Sequence, residues 1–229
     1  MRSHDETWEQ LARDDAEYYI LTEDVDFGTP PGQQHFYDSG SADANGIWTQ
    51  ARRWMDGEPA TAVEIGCGIG RLTLPMARRL GEIRAIDVSP TMLRRLADNC
   101  AAAGLDSVRG FLPSEAWDTG RPVDFAYSRW VLQHIPDFGV IEGYVARLGA
   151  CLRPGAVAHL QLDTRPATIG YRVRNALPDL VLPRRWRRGV RRIRRAPADL
   201  RALFARHGFS IAEELNPDST DHVFVLVRR

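Results

Sequence analysis

Hydrophobic positions follow a regular alternation from about residue 60 to the end of the chain. Short apolar runs, typical of buried strands, alternate with amphipathic stretches, typical of helices. This alternation predicts a parallel sheet with helices on both faces. The predicted strands are Ala62–Ile65, Arg84–Asp87, Ser107–Gly110, Val123–Ser128, Ala156–Leu162, Ser210–Leu215 and Val223–Arg228. The predicted helices begin near Gly70, Pro90, Asp137 and Pro197.

The last two strands are separated only by a turn at Asp218 to Asp221. So short a connection predicts a hairpin, and therefore an antiparallel pair at the edge of the sheet. The fold class expected from the whole pattern is α/β, with a doubly wound, mostly parallel sheet.

Two segments lie outside the alternation. We expect residues 1–55 to form an N-terminal cap and residues 56–229 to form the core. The core is interrupted after its fifth strand by an insertion at 164–196. Ligands of doubly wound folds bind at the carboxyl edge of the sheet, so both segments are predicted to cover that edge.

The sharpest local pattern runs from Ala62 to Arg71 and reads AVEIGCGIGR. An apolar strand enters a glycine-rich turn, and a helical pattern follows. Glycine is needed where the backbone turns tightly and touches a ligand, and the helix start supplies free N–H groups. A dinucleotide loop would place its third glycine at position 71, which is Arg71, so a pyrophosphate site fits poorly.

An acidic residue ends the second predicted strand. Asp87 stands in the stretch RAIDVSP, where a carboxylate can accept hydrogen bonds from both hydroxyls of a ribose. It could instead cap the following helix, as could Ser89 before Pro90. The glycine loop and the acid together indicate a nucleoside-containing ligand more strongly than either does alone.

Three stretches resemble the first, second and fourth motifs of class I S-adenosylmethionine-dependent methyltransferases. They are EIGCGIG at Glu64–Gly70, IDVSPTML at Ile86–Leu93 and YSRWVLQHI at Tyr127–Ile135. The resemblance covers about residues 58–163. It implies a seven-stranded sheet, with S-adenosylmethionine as the cofactor over the first two strands.

The resemblance also implies roles for individual residues. Gly66, Gly68 and Gly70 would approach the methionyl part, Asp87 would hold the ribose, and Met92 would pack on the adenine. The family's third motif places an acid beside the adenine, but here RGFLPSE has none directly after Gly110. Phe111 or Leu112 would then supply that contact by packing. Glu64, Cys67, Val88 and Ser128 complete the predicted cofactor site.

A methyl on a sulfonium is already an electrophile, so the protein must position a nucleophile, exclude water and in many cases remove a proton. His134, just past the fourth strand, is the first candidate for the base, although it could only shape the turn. Asp163, at the end of the fifth strand, is the second candidate. We expect His4 and His222 to be surface residues.

Aromatic residues of the N-terminal segment are candidates for the acceptor site. Tyr18, Tyr19 and Tyr37 are predicted to bind substrate together with Trp130 and Arg165, although an aromatic stripe can also be plain core.

Charge is unevenly distributed although the formal net charge is zero. Residues 1–50 hold eleven Asp or Glu and two Arg, whereas residues 147–229 hold seventeen Arg and seven acids. An arginine-rich segment spans Arg184 to Arg195. It could bind nucleic acid or an anionic membrane, recognise an anionic acceptor, or pair with the acidic N-terminal segment. The last interpretation is favoured.

The composition excludes several classes of protein. No stretch has the roughly 20 apolar residues that a membrane span needs, and Met1 to Gln10 lack a signal-peptide core. The cysteines, Cys67, Cys100 and Cys151, lack the spacing of a zinc site, so no metal is expected. A cytoplasmic location is expected.

The function favoured by the sequence is methyl transfer to a small molecule, with oxygen as the nucleophile. The alternatives are an RNA or other macromolecular methyltransferase and a non-catalytic cofactor-binding module. Ser128-Arg129-Trp130-Val131 lacks the Asp/Asn-Pro-Pro-aromatic pattern of adenine-amine methyltransferases, which argues against that subclass but not against all RNA enzymes. Nucleic acid is disfavoured as a partner. A homodimer is left open.

Overall fold

The computed structural model describes residues 3–177, 181–182 and 190–229. Seven strands form one sheet in the order β3-β2-β1-β4-β5-β7-β6. All pairings are parallel except those of β7, which runs antiparallel to β5 and to β6. The strands are β1 Thr61–Ile65, β2 Glu82–Ile86, β3 Val108–Phe111, β4 Val123–Ser128, β5 Leu152–Leu162, β6 Phe209–Leu215 and β7 His222–Arg228. The predicted α/β fold and the closing hairpin are confirmed.

Helices cover both faces of this sheet. They are α1 His4–Leu21, α2 Pro30–Arg52, α3 Thr73–Ala77, α4 Pro90–Ala102, α5 Phe138–Cys151, α6 Ile169–Ala176 and α7 Pro197–Arg206, with a short 3-10 helix at Leu132–His134. Three predicted helix starts are confirmed by their capping residues. Ser89 accepts a hydrogen bond at the start of α4, Asp137 does so at the start of α5, and Pro197 is the first residue of α7.

The central strands are apolar because both of their faces are covered. Val63 and Ile65 of β1 pack into the apolar cluster on one face of the sheet, with α5 and α7. Ala62, one residue earlier, packs into the cluster on the other face, with α2 and α3. This period of two places alternate residues in opposite cores.

Two predicted boundaries were wrong by three or more residues. β5 begins at Leu152 rather than Ala156, because Leu152 pairs with Val123 before the register shifts. The helix after the glycine loop begins at Thr73 rather than near Gly70, because the loop continues through Gly70 to Leu72.

The N-terminal helices form a third apolar cluster. Phe27 and Phe36 pack with Ile69 of the glycine loop and Met92 of α4. The region around α1 is therefore attached to the core at the edge where β1 and β2 end.

The insertion after β5 begins with α6 and returns as an extended segment before α7. In that segment the Ile193 N–H donates to the Gln133 carbonyl at 2.7 Å, and the Arg195 N–H donates to the Asp163 carbonyl at 2.9 Å. The predicted arginine-rich stretch from Arg184 to Arg188 lies outside the described residues.

Among residues 3–177, 181–182 and 190–229, no helix combines the length and the apolar character that crossing a membrane requires. The same residues contain no group of three or more His, Cys, Asp or Glu side chains placed to hold a metal ion.

Candidate active site

A cavity of about 190 Å³ lies at the carboxyl ends of β1, β2 and β4. We call it the loop cavity. The glycine loop and Asp87 form its floor, and Trp8, Tyr19 and Ile20 of α1 form its roof. Its position agrees with the expectation that ligands of doubly wound sheets bind at this edge.

The glycine loop needs its glycines for two physical reasons. Gly66, Gly68 and Gly70 have φ angles of +77°, +54° and +99°, in the left-handed region. A Cβ on Gly66 would lie 2.2 Å from Cγ2 of Val131, and one on Gly68 would lie 2.9 Å from Cδ1 of Ile20. Gly66 and Gly68 line the cavity, whereas Gly70 shapes the turn beneath α4.

Asp87 connects the loop to the end of β2. Its Oδ2 accepts a hydrogen bond from the Gly68 N–H and its Oδ1 accepts one from the Ser89 N–H, both at 2.9 Å. Burial raises the pKa of this carboxyl to about 6. Each oxygen retains acceptor capacity, and the side chain lines the cavity, so it can accept further hydrogen bonds from a ligand.

Glu64 is a second buried carboxyl in the floor. Its Oε2 accepts hydrogen bonds from the Thr73 hydroxyl at 2.7 Å and from the Tyr127 hydroxyl at 2.9 Å. Burial raises its pKa to about 7, against the opposing effect of these hydrogen bonds. A cation in the cavity would stabilise the charged forms of both Glu64 and Asp87.

Glu9 holds α1 over this floor. Its carboxylate accepts hydrogen bonds from the Ser89 hydroxyl at 2.6 Å, the Thr91 N–H at 3.1 Å and the Thr91 hydroxyl at 2.7 Å. Burial alone would raise the pKa of Glu9, but these hydrogen bonds outweigh it and lower the pKa to about 2. The negative charge lies at the amino terminus of α4, where the helix dipole favours it.

The predicted cofactor contacts fall into two groups. Val88, Met92 and Cys67 line the loop cavity. Phe111 and Leu112 do not; Phe111 packs against the main apolar cluster instead, and Pro113 is the lining residue of that stretch. Ser128 is fully buried, and its hydroxyl donates to the Ile65 carbonyl at 3.0 Å, bracing β1 against β4.

A second cavity, of about 390 Å³, adjoins the first. We call it the arginine pocket, because Arg71, Arg129 and Arg192 line it. The two cavities share the wall residues Tyr19, Ile20, Arg71, Arg129 and Trp130.

Trp130, a predicted substrate contact, lies at the junction of the two cavities. It has a φ of +60°, and its N–H donates to Oε1 of Gln161 at 2.8 Å. The guanidinium carbons of Arg129 and Arg192 lie over its ring, 4.8 Å and 4.9 Å from the ring centre. A left-handed conformation is uncommon for an aromatic residue and marks a constrained position.

His134 lines the arginine pocket rather than the loop cavity. Its Nε2 lies 3.3 Å from Nε2 of Gln133, and its Nδ1 lies 3.3 Å from the Arg191 carbonyl oxygen. Since the Gln133 amide nitrogen donates, Nε2 accepts and Nδ1–H donates to Arg191. Burial, aided by the charge of Arg192, lowers the pKa of His134 to about 4. Its role as a base stays a prediction.

Asp163 and Arg165 bind each other. The carboxylate is fully buried, and Nη2 of Arg165 donates to its Oδ2 at 2.6 Å. Neither residue lines either cavity. Of the predicted tyrosines, Tyr19 lines both cavities, whereas Tyr18 and Tyr37 pack in the N-terminal cluster.

The expectation of surface histidines was wrong. His222 is fully buried, with Nδ1 2.8 Å from the Thr164 hydroxyl, because β7 is an interior strand. His4 is half-buried and lines the loop cavity.

The expected pairing of the arginine-rich segment with the acidic N-terminal segment is wrong for its described residues, 190–195. Arg195 donates to the Ile135 and Pro136 carbonyls, at 2.9 Å and 2.7 Å. Arg194 donates to the Pro166 carbonyl at 2.6 Å. The N-terminal acids pair with core arginines instead: Glu17 with Arg95, and Asp43 with Arg71 and Arg129.

Several residues that line the two cavities or hold α1 over them escaped the sequence analysis. Trp8 and Glu9 lie on a helix whose docking partner no local pattern indicates. Arg71 lies at the position where a dinucleotide loop has glycine. The sequence analysis used it only to argue against a pyrophosphate site and did not consider the arginine as a lining residue. Arg129 and Arg192 are identifiable only once β4 and the insertion are brought together.

Comparisons with known proteins agree with this geometry. A family model described as a methyltransferase domain matches residues 48–214. The chain is similar to the 23S rRNA (uracil(1939)-C(5))-methyltransferase RlmD of Shewanella sediminis, with 30% identity over 46% of this chain and 25% of that protein. It is similar to the ubiquinone biosynthesis O-methyltransferase of Caulobacter vibrioides, with 34% identity over 44% of this chain and 39% of that protein. The matched part thus spans well under half the length of either relative.

A solved structure shows the same fold over the whole chain. The magnesium protoporphyrin IX methyltransferase of Synechocystis PCC 6803, with bound SAH, superposes with a TM-score of 0.64. The superposition covers 98% of this chain and 97% of that one, at 18% identity.

Proposed function

The chain belongs to the class I S-adenosylmethionine-dependent methyltransferases, and on that premise we propose that it methylates an oxygen of a small molecule. The observation that carries this proposal is the meeting of a glycine loop and Asp87 in a cavity roofed by α1. The cradle fits the cofactor, because a Cβ on Gly66 or Gly68 would meet the cavity wall.

In this proposal Asp87 accepts hydrogen bonds from the ribose hydroxyls. Val88, Met92 and Pro113 pack on the adenine, and Glu64 faces the positive charge of the methionyl end. S-adenosylmethionine supplies a methyl group already activated on a sulfonium. The chain's own residues bind it, orient it and exclude water beneath α1.

Two observations favour a small oxygen acceptor. The roof over the loop cavity and the bounded arginine pocket leave room for a small molecule beside the cofactor. The Caulobacter relative is named as an O-methyltransferase.

An RNA acceptor is the second candidate, since the Shewanella relative is named as a 23S rRNA methyltransferase. Three described arginines of the insertion argue against it. Arg191, Arg194 and Arg195 donate hydrogen bonds to carbonyl groups of their own chain, so those donors are engaged rather than presented to phosphates.

The test begins with cofactor binding. Asp87→Ala should weaken S-adenosylmethionine binding by about 1–3 kcal/mol, the scale for losing hydrogen bonds to a charged group. Asp98→Ala, which removes an exposed carboxylate on α4, is the matched control and should bind normally. If calorimetry showed unchanged affinity in a folded Asp87→Ala variant, Asp87 would not be a cofactor-binding residue.

Labelled-methyl transfer to phenols, sugars, carboxylic acids and RNA then identifies the acceptor. Incorporation into a small molecule is the expected result. Incorporation into RNA alone, lost steeply with added salt, would support the second candidate.

A further inference from the structure

The arginine pocket contains one cation that the described residues do not neutralise. Arg71 donates to Asp43 at 2.7 Å and to the Ser39 hydroxyl at 3.2 Å. Arg129 approaches Asp43 at 3.1 Å and donates to Asp221 at 2.9 Å. Arg192, by contrast, has a ring contact with Trp130 and no ion pair or hydrogen bond among the described residues.

We propose that the arginine pocket binds a carboxylate group of the methyl acceptor, with Arg192 as its cationic partner. This inference rests on the proposed function, because it assigns the substrate class of that same site. A guanidinium presents a planar set of donors that matches a carboxylate in a two-pronged hydrogen bond.

The backbone holds Arg192 in place from both sides. On one side the Arg191 carbonyl accepts from the His134 ring, with 3.3 Å between the two atoms. On the other side the Ile193 N–H donates to the Gln133 carbonyl at 2.7 Å. A donor fixed in advance loses less conformational entropy when it binds an anion. His134 is therefore a positioning residue for Arg192 in this inference.

The charge balance favours a single negative charge. Arg71 and Arg129, two of the three arginines that line the pocket, pair with Asp43 and Asp221. Glu23, the other acid in the lining, lies against His35 instead, with 2.6 Å between its Oε2 and Nε2 of His35. A carboxylate neutralises the remaining cation. A phosphate dianion would bring a second negative charge near Asp43, which already forms ion pairs with two arginines.

The location connects this anion site to the methyl-transfer site. The arginine pocket and the loop cavity meet at the wall formed by Arg71, Arg129 and Trp130. An acceptor held at its carboxylate end by Arg192 can extend past Trp130, so that its nucleophilic oxygen reaches the loop cavity.

The experiment measures anion binding without turnover. Benzoate, its neutral analogue benzamide and the dianion phenyl phosphate are titrated against the full chain saturated with S-adenosylhomocysteine, with ligand-observed NMR as the readout. The variants are Arg192→Gln and Arg192→Lys. Arg194→Gln is the matched control, because Arg194 comes from the same segment and does not line the pocket.

We expect the wild type to bind benzoate about tenfold more tightly than benzamide, and to bind phenyl phosphate no more tightly than benzoate. Arg192→Gln should abolish the preference for benzoate, Arg192→Lys should retain part of it, and Arg194→Gln should retain all of it. Equal binding of benzoate and benzamide by the wild type, or a full preference in folded Arg192→Gln, would overturn the inference. Tighter binding of phenyl phosphate would overturn the carboxylate assignment.

Calorimetry with S-adenosylhomocysteine separates this inference from the proposed function. Arg192→Gln should bind S-adenosylhomocysteine with unchanged affinity, because Arg192 does not line the loop cavity. If the wild type failed to bind S-adenosylhomocysteine, the proposed function would fail, and the preference for benzoate would still be measured on the free protein.

Discussion

The loop cavity and the arginine pocket adjoin each other but are built in different ways. The floor of the loop cavity comes from two short stretches, residues 64–68 and 86–92, and depends on backbone turns. The arginine pocket is assembled from side chains of the N-terminal helices, Arg71 at the end of the glycine loop, the loop after β4 and the insertion. The first is set mainly by local sequence, and the second depends on long-range packing.

The contrast assigns different tasks to the two regions. A floor made of backbone and two carboxyls can bind the same cofactor whatever the acceptor is. A pocket made of side chains from separate segments can change its specificity through residues such as His134 and Arg192, which do not line the loop cavity. A variant confined to one region should mainly change the binding of the ligand that the region holds.

The largest effect is expected at Gly68. Gly68→Val adds a side chain at a φ of +54° and directs it at Ile20, so S-adenosylmethionine affinity should fall about 100-fold or more. Gly104→Val is the control, because Gly104 has a φ of +67° and nothing within 4 Å of an added Cβ. Calorimetry should show a loss of S-adenosylmethionine affinity for Gly68→Val alone. A similar loss in both variants would mean that the effect comes from backbone strain rather than from the cavity.

The attachment of the roof should give the next effect. Glu9→Gln removes the charge that accepts from Ser89 and Thr91, and S-adenosylhomocysteine affinity should fall about tenfold to a hundredfold. Amide exchange in α1 should accelerate in parallel. Asp14→Asn, an exposed change on the same helix, should leave both measurements unaltered.

The roof should also respond to acid. The pKa of Glu9 falls from 4.5 to about 2 on folding, so its contribution to stability is complete above about pH 4.5 and is lost as the pH falls towards 2. The Glu9→Gln variant should not show this loss of stability at low pH, because glutamine does not titrate. If the protection of the α1 amides, relative to their intrinsic exchange rate, were the same at pH 3 and pH 6 in the wild type, Glu9 would not be the residue that holds the roof.

A substitution at His134 tests whether the arginine pocket binds a carboxylate. His134→Ala frees the Arg191 carbonyl, so the affinity for benzoate should fall about tenfold while S-adenosylhomocysteine affinity stays constant. In turnover, the KM for a carboxylate acceptor should rise and kcat should be nearly unchanged. A fall in kcat of about 10²–10⁴-fold, smaller for acceptors that are already ionised, would instead establish His134 as the general base.

The last effect concerns stability rather than binding. The pKa of Glu64 rises from 4.5 to about 7 on folding, so its burial destabilises the ligand-free protein increasingly as the pH rises from 4.5 to 7. Because one pKa unit corresponds to about 1.4 kcal/mol, Glu64→Gln should stabilise the ligand-free protein by up to about 3 kcal/mol more at pH 8 than at pH 4. Thermal unfolding at the two pH values measures this difference. The exposed change Glu58→Gln should show no such dependence on pH.

Much of the fold was predictable because its signals are local. β4 was predicted at its observed bounds, and α4 begins at Pro90 after the cap Ser89. Glycines at positive φ and a carboxylate at a strand end leave short, recognisable patterns. Arg192 and Glu9 leave no such pattern, because their partners lie 62 or more residues away along the chain. Arg192 contacts Trp130, and Glu9 contacts Ser89. The start of β5 was missed because Leu152 directly continues α5, with no turn residue between them.

The wall shared by the two cavities has a thermodynamic consequence. Tyr19, Ile20, Arg71, Arg129 and Trp130 line both cavities. The free energy of either proposed binding step therefore includes the state of the same five side chains. Any coupling between the steps must be reciprocal: the factor by which S-adenosylhomocysteine changes benzoate affinity equals the factor by which benzoate changes S-adenosylhomocysteine affinity. A closed cycle of four titrations measures that factor. Repeating the cycle with a variant at Trp130 would show how much of the coupling passes through the indole.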